Sequence, residues 1–213
     1  SATTKPKAID LFSGCGGLTL GLKQAGFDVI GAVEIDSLAV QTYRANHPEV
    51  QVWHRDIRKL TAPQILNALG LKRGELDLLA GCPPCQGFSA MRRLNGGRRV
   101  QDKQNDLVFE FLRLLRGLRP KSIMLENVPG LADNVRLSKL KAVMRRLGYL
   151  VNAEVQNASH YGVPQRRRRL ILLAGRGAWG DPDRPPGLRP RRRPCRAQAA
   201  RGQDQGLSGA GEN

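Results

Sequence analysis

Cys85 stands in the segment Gly81-Cys82-Pro83-Pro84-Cys85-Gln86-Gly87-Phe88-Ser89, directly after the apolar run Leu76-Asp77-Leu78-Leu79-Ala80. Two prolines fix φ and remove two backbone donors, and Gly87 lets the chain turn sharply afterwards, so the thiol is presented on a stiff support. Chemistry in open α/β sheets gathers beyond the carboxyl ends of the strands, and a thiol held there is a candidate nucleophile. Cys82 makes the segment a Cys-x-x-Cys, which also describes a redox pair or half a zinc site. No second pair follows, since Cys15 and Cys195 stand alone; Cys82 and Cys15 are therefore expected to be packing residues. Glu126 closes a later apolar run, and Gln165-Arg166-Arg167-Arg168-Arg169 opens another. Taken singly, the first also reads as a strand-end cap and the second as a solvated charge cluster.

Such groups need a sheet to hold them. Apolar runs predict strands at 8–12, 28–35, 51–54, 76–80, 122–125, 149–156 and 169–174. Helices are expected at 18–25, after Asp36 or Ser37 as cap, and at 63–69 behind Pro63. Two more follow the 3.6-residue period, through Leu107, Val108, Phe111, Leu112, Leu115 and Leu118, and through Leu140, Val143, Met144 and Leu147. Repeated β-α units predict an α/β fold, a mostly parallel sheet with helices on both faces. In the first turn, Ser13-Gly14-Cys15-Gly16-Gly17 lets backbone approach a ligand at a helix N-terminus, and Glu34 ends strand two where a carboxylate can accept from ribose hydroxyls. The spacing is not the Gly-x-Gly-x-x-Gly of dinucleotide binders, and a Gly-rich turn is equally a structural device. Asp56, after strand three, is placed to reach an adenine amine or to cap a helix.

Charge narrows the partners. The 213 residues carry 35 Lys+Arg against 18 Asp+Glu, a net charge of +17, and a surface of that sign attracts polyanions, nucleic acid first. Only +4 of the excess lies after Gly175. Residues 178–213 hold no Val, Ile, Phe, Met or Tyr but five Pro and six Gly. The expected organisation is thus one catalytic and cofactor-binding domain over 1–175, followed by a Pro/Arg/Gly-rich tail at 176–213 that cannot bury enough apolar surface to order itself. No run is long enough to span a bilayer and no signal peptide is legible, which predicts a cytoplasmic, reducing location, nucleoid-associated in a prokaryote.

The strings Asp10-Leu11-Phe12-Ser13-Gly14-Cys15-Gly16-Gly17, Pro83-Pro84-Cys85-Gln86, Glu126-Asn127-Val128 and Gln165-Arg166-Arg167-Arg168-Arg169, in that order, resemble the DNA (cytosine-5)-methyltransferases. The resemblance implies a Rossmann-like catalytic domain. It also implies S-adenosylmethionine as methyl donor, S-adenosylhomocysteine as product, no metal, and a cytosine rotated out of duplex DNA as acceptor. Cys85 matches the nucleophile that adds to ring C6, because C5 is too weakly nucleophilic unaided. Glu126 matches the acid at N3, a role that calls for a raised pKa. Arg167 matches the group binding the O2 side, with Arg169 bracing the active-site loop.

For the cofactor the resemblance assigns Phe12, Ser13, Gly14 and Gly16 to the methionine side, Glu34 to the ribose, Ile35 to the adenine face and Asp56 to the adenine amine. Pro84 and Leu107 complete that set. Residues 89–103 resemble a mobile loop that closes over DNA. Gln86, Ser89, Arg98, Arg99, Gln165 and Arg169 are the expected nucleic-acid contacts. Family members continue into a target-recognition domain and a final helix beside the first strand; neither is legible here. The chain is therefore expected to be a catalytic half, truncated, frameshifted or naturally split, that needs a C-terminal half or second polypeptide for activity. An RNA cytosine methyltransferase, or an inactive basic remnant that binds nucleic acid, are the alternatives.

Overall fold

The computed structural model describes residues 4–84, 107–132 and 135–177. Cys85, Gln86, Ser89, Arg98 and Arg99, the expected loop at 89–103 and the tail from 178 lie outside the described residues. Seven strands form one sheet: β1 Lys7–Leu11, β2 Asp28–Glu34, β3 Gln51–His54, β4 Leu78–Gly81, β5 Ser122–Asn127, β6 Leu150–Asn157 and β7 Arg168–Gly175. Their order is β3-β2-β1-β4-β5-β7-β6. The first five strands pair in parallel, whereas β7 runs antiparallel to both β5 and β6. The α/β expectation holds, with a final antiparallel pair that hydrophobic periodicity could not orient.

Helices α1 Gly17–Gln24, α2 Ser37–Asn46, α3 Ala62–Ala68, α4 Leu107–Leu118 and α5 Val135–Arg146 cover the sheet. One core layer joins Ile9, Leu11, Leu79, Ile123 and Leu125 to the apolar stripe of α4 and to Leu137, Leu140 and Met144 of α5. The other joins Ala8, Ala32, Leu78 and Ala80 to Leu22 of α1 and to Val40 and Tyr43 of α2. Strands buried on both faces read as continuous apolar runs, which is why β1 and β4 were legible. Asp36 caps α2, accepting from Ala39 N at 2.8 Å. Thr61 and Gln64 make a reciprocal capping box on α3. Gly117 is required where α4 crosses α3, because a Cβ there would lie 2.4 Å from that of Ala62.

Two boundaries differ from expectation for definite reasons. Phe12 leaves β1 at φ +61°, as Ser13 N crosses to Val33 O at 3.1 Å. Strand β4 starts two residues late, because Asp77 is engaged by Lys7 N and Lys121 Nζ, each at 2.7 Å. Arg176, placed in the tail by composition, is bound to the core through the carbonyls of Pro120 (3.0 Å) and Arg119 (2.8 Å). No helix among the described residues is long and apolar enough to cross a membrane.

Strand order reverses between β1 and β4, since the chain runs from β1 out to β3 on one side and from β4 out to β5 on the other. The crevice beyond their carboxyl ends is where an open α/β sheet binds ligands.

Candidate active site

On the β1 side, the Gly-rich turn owes its path to positive φ at Phe12, Gly14 and Gly16. Its glycines serve different ends. A Cβ on Gly14 or Gly17 would meet nothing within 4 Å, which leaves open space above the turn. A Cβ on Gly16 would strike the His47 ring at 2.6 Å.

Glu34, at the end of β2, ties this turn down: it accepts from Gly14 N at 2.8 Å, Ile35 N at 2.8 Å and Asp36 N at 2.9 Å. Three of the roughly four acceptor sites of a carboxylate are thereby used, and one remains for a ligand hydroxyl.

Next to it, a cleft of about 690 Å³ is lined by Ile35, His54, Arg55, Asp56 and Lys59. Ile35 presents an exposed apolar side chain to it. Asp56 caps the following turn, with Arg58 N at 3.0 Å and Arg58 Nε at 3.1 Å, and these hydrogen bonds hold its carboxyl below the usual range. The cap reading of Asp56 is thereby met, and the same residue lines the cleft.

Asp10 lies beneath the turn, fully buried in β1. Its Oδ2 accepts from Thr19 Oγ1 at 2.8 Å, and Thr19 Oγ1 is 2.8 Å from Tyr43 OH. Among the described residues, Asp10 Oδ1 and Ser13 Oγ are buried without a partner. Burial pushes the Asp10 carboxyl up to about 7.

On the β5 side, Glu126 Oε1 meets Arg169 Nε at 2.9 Å and Arg167 Nη2 at 3.6 Å. Arg169 thus holds Glu126, while the side chain of Arg167 keeps half of its surface exposed. Asn127 Nδ2 donates to Pro83 O at 3.0 Å, and its Oδ1 accepts from Val128 N at 2.8 Å. One buried amide therefore ties the end of β5 to the Pro-Pro turn. Pro84 is half-buried beside it.

Cys82 is half-buried. It follows Gly81, which pairs with Leu125, so strands β4 and β5 bring Cys82 opposite Glu126. Burial raises its thiol pKa far above the ordinary value, and Glu126 and Asp10 raise it further. Cys15 is exposed rather than packed. Gln165 lies exposed in the turn before β7, and Leu107 begins α4 with its side chain in the core.

Asp10, Thr19 and Tyr43 were missed by the sequence reading. The available signal was an acid inside the apolar run Ala8-Ile9-Asp10-Leu11, since a buried, poorly paired charge is the exception in a core. Among the described residues, no three His, Cys, Asp or Glu side chains gather as metal ligands.

A doubly wound sheet with a Gly-rich first turn, an acid ending β2 and an open cleft beyond the ends of β2 and β3 defines a Rossmann-like class of protein. Within that class the chain belongs to the C-5 cytosine-specific DNA methylase family, whose model matches residues 6–179.

Type II methyltransferase M.XorII of Xanthomonas oryzae pv. oryzae is 39% identical over 178 residues, 81% of this chain and 41% of that one. Type II methyltransferase M.AquIA of Picosynechococcus sp. is 37% identical over 181 residues, 80% of this chain and 72% of that one. A prophage-encoded DNA modification methyltransferase of E. coli superposes with a TM-score of 0.68 at 35% identity, over 80% of this chain and 47% of the other. The chain spans about two-fifths of M.XorII and about half of the E. coli structure.

Proposed function

We propose that this chain carries the catalytic half of a DNA cytosine-5 methyltransferase. Residues 1–175 form the catalytic unit, 176–213 a Pro/Arg/Gly-rich extension, and target recognition resides in sequence that the family's longer members carry beyond the match. The observation that most supports this is the tie between Asn127 and Pro83 O at 3.0 Å. It joins Glu126 and its arginines to the segment leading into Cys85.

The site suits S-adenosylmethionine: there is open space above Gly14 and Gly17, Glu34 keeps a free acceptor site, and the Ile35–Asp56 cleft lies alongside. When bound, that cofactor supplies an electrophilic methyl group. Gly14, Gly16, Phe12 and Ser13 hold its amino-acid end, Glu34 accepts from the ribose, Ile35 covers the adenine face and Asp56 takes the adenine amine.

The Cys85 thiolate adds to C6 of an extruded cytosine while Glu126 donates a proton at N3 and Arg167 binds the O2 side. The bond at C6 makes C5 nucleophilic. After methylation a base removes the C5 proton and the thiolate leaves.

Gln86, Ser89, Arg98, Arg99 and Gln165 meet the DNA. A second polypeptide can provide the remaining half, a reading supported by M.AquIA, in which the matched region is 72% of the chain. In a prokaryote such an enzyme works in the cytoplasm, on the nucleoid.

Trapping on 5-fluorocytosine DNA tests this. The fluorine blocks removal of the C5 substituent, so the complemented chain should form a cofactor-dependent covalent adduct that Cys85→Ala abolishes. Absence of an adduct with DNA, or an adduct with RNA alone, would refute the proposal. The purified chain by itself should not methylate one defined DNA sequence, and robust methylation would contradict the half-enzyme reading.

A further inference from the structure

We infer that Asp10 is a positioning residue of the cofactor site, and that its charge, acting through the Gly-rich turn it underlies, sets the affinity for a cationic ligand. This rests on the methyltransferase reading above and adds to it a residue and a proton.

Asp10 sits in the middle of the sheet, paired with Ala32 of β2 and Ala80 of β4. Three side chains form a line of oxygens, and Asp10, Thr19 and Tyr43 are each 0% exposed. Thr19 has one hydroxyl proton and commits it to Asp10 Oδ2, so Tyr43 must donate to Thr19. The donors point inward and end on a carboxyl group whose second oxygen has no partner. Ser13 Oγ, in the turn that β1 runs into, is likewise unpartnered and 7% exposed. Both atoms stand at the switch point of the sheet, where a ligand enters.

Among the described residues, the neighbours of Asp10 offer no countercharge. Glu34 of β2 and Cys82 after β4 act on it or are acted on by it, and both interactions disfavour a second negative charge. Tyr43 of α2 donates through Thr19 of α1. Beyond Tyr43 stands His47, with ring centroids 4.9 Å apart; its Nδ1 faces Lys23 Nζ at 2.8 Å and its Nε2 faces Gly16 O at 3.2 Å. An ammonium can only donate, so Lys23 donates to His47 Nδ1, and Nε2 is left to face Gly16 O.

A carboxyl pushed up to about 7 in this setting is near half-protonated at neutral pH. S-adenosylmethionine carries a sulfonium, an ammonium and a carboxylate, a net positive charge, whereas the demethylated product carries none. Binding the cation favours the carboxylate, so the carboxylic proton leaves to solvent as the complex forms. The neutral product draws off less of that proton.

Isothermal titration of the full chain with S-adenosylmethionine, from pH 6 to 8 and in two buffers of different ionisation enthalpy, tests this. Wild-type affinity should rise roughly tenfold more across that range than affinity of Asp10→Asn. Proton release near pH 7 should appear in wild type and vanish in the variant. The cofactor's own amine, titrating at about 8, contributes equally to both proteins. S-adenosylhomocysteine should show the smaller pH dependence.

Identical pH dependence in the two proteins would overturn the inference. Should Asp10→Asn not fold, Thr19→Val removes the donor to Oδ2 and should move the wild-type midpoint to higher pH; an unmoved midpoint overturns the inference equally. A folded wild-type chain that binds the cofactor at no pH would instead overturn the cofactor reading itself.

Discussion

Glu34 and Glu126 are the same residue at the carboxyl ends of two strands of one sheet, yet they are held in opposite ways. Glu34 takes its donors from backbone, from Gly14, Ile35 and Asp36. Glu126 takes its donors from guanidinium groups on β7, at 2.9 Å from Arg169 and 3.6 Å from Arg167. Backbone amides cannot swing away, so Glu34 belongs to a preformed cradle. Arginine side chains can, so Glu126 stays available to exchange a guanidinium for a substrate. On the proposed reading, one half of the crevice binds the cofactor and the other carries the chemistry.

The largest expected effect breaks the second half alone. Glu126→Gln in the complemented enzyme should lower methyl transfer by about 10²–10⁴-fold, the range for loss of a positioned acid. Cofactor affinity, measured by titration, should stay within about twofold if the two halves are as separate as their hydrogen bonds. Equal losses in both would collapse the distinction.

Asp10, by contrast with both glutamates, is a carboxyl with a single side-chain donor. The folded protein holds that proton to about pH 7, and the ordinary value is 3.8. Folding therefore binds the proton more tightly than the unfolded chain does, so this group's contribution to stability is greatest at low pH, falls as pH rises from about 4 to 7, and is flat above. The range is on the order of 4 kcal/mol. Asp10→Asn escapes this loss, so the melting temperature of the variant relative to wild type should climb between pH 5 and 8. A constant difference would show that Asp10 is not a proton-holding site.

Glu34→Ala should weaken cofactor binding by roughly 10–100-fold, since the ribose loses its acceptor and the Gly-rich turn loses the part-buried tie from Gly14 N to Glu34, together about 1–3 kcal/mol. Methyl transfer at saturating cofactor should change far less. Gly16→Ala, which would drive a Cβ to 2.6 Å from His47 at φ +94°, should cost about 1–3 kcal/mol of stability in urea unfolding. Gly14→Ala shares the positive φ but not the collision and should cost less.

Much of this division was legible in the residues. The Gly-rich turn, Glu34 at the end of β2, Glu126 at the end of β5 and the alternation of strands and helices follow from apolar runs and turn chemistry. Strand direction did not, because β6 and β7 alternate alike whichever way they run. Nor did the neighbours of Cys82: its position opposite Glu126 depends on the β4–β5 register that pairs Gly81 with Leu125. Asp10 was hidden inside a motif, where its burial depends on Thr19 and Tyr43 from two different helices. Local signals revealed the backbone cradle; the side-chain contacts across strands required the fold.

On the proposed reading Cys85 is the nucleophile and Glu126 its acid, while Cys82, opposite Glu126, is held as a thiol. Peptide mass spectrometry on the complex trapped with 5-fluorocytosine DNA separates the two cysteines. The nucleotide mass should sit on Cys85 with Cys82 unmodified, and label on Cys82, or on neither cysteine, would contradict the account.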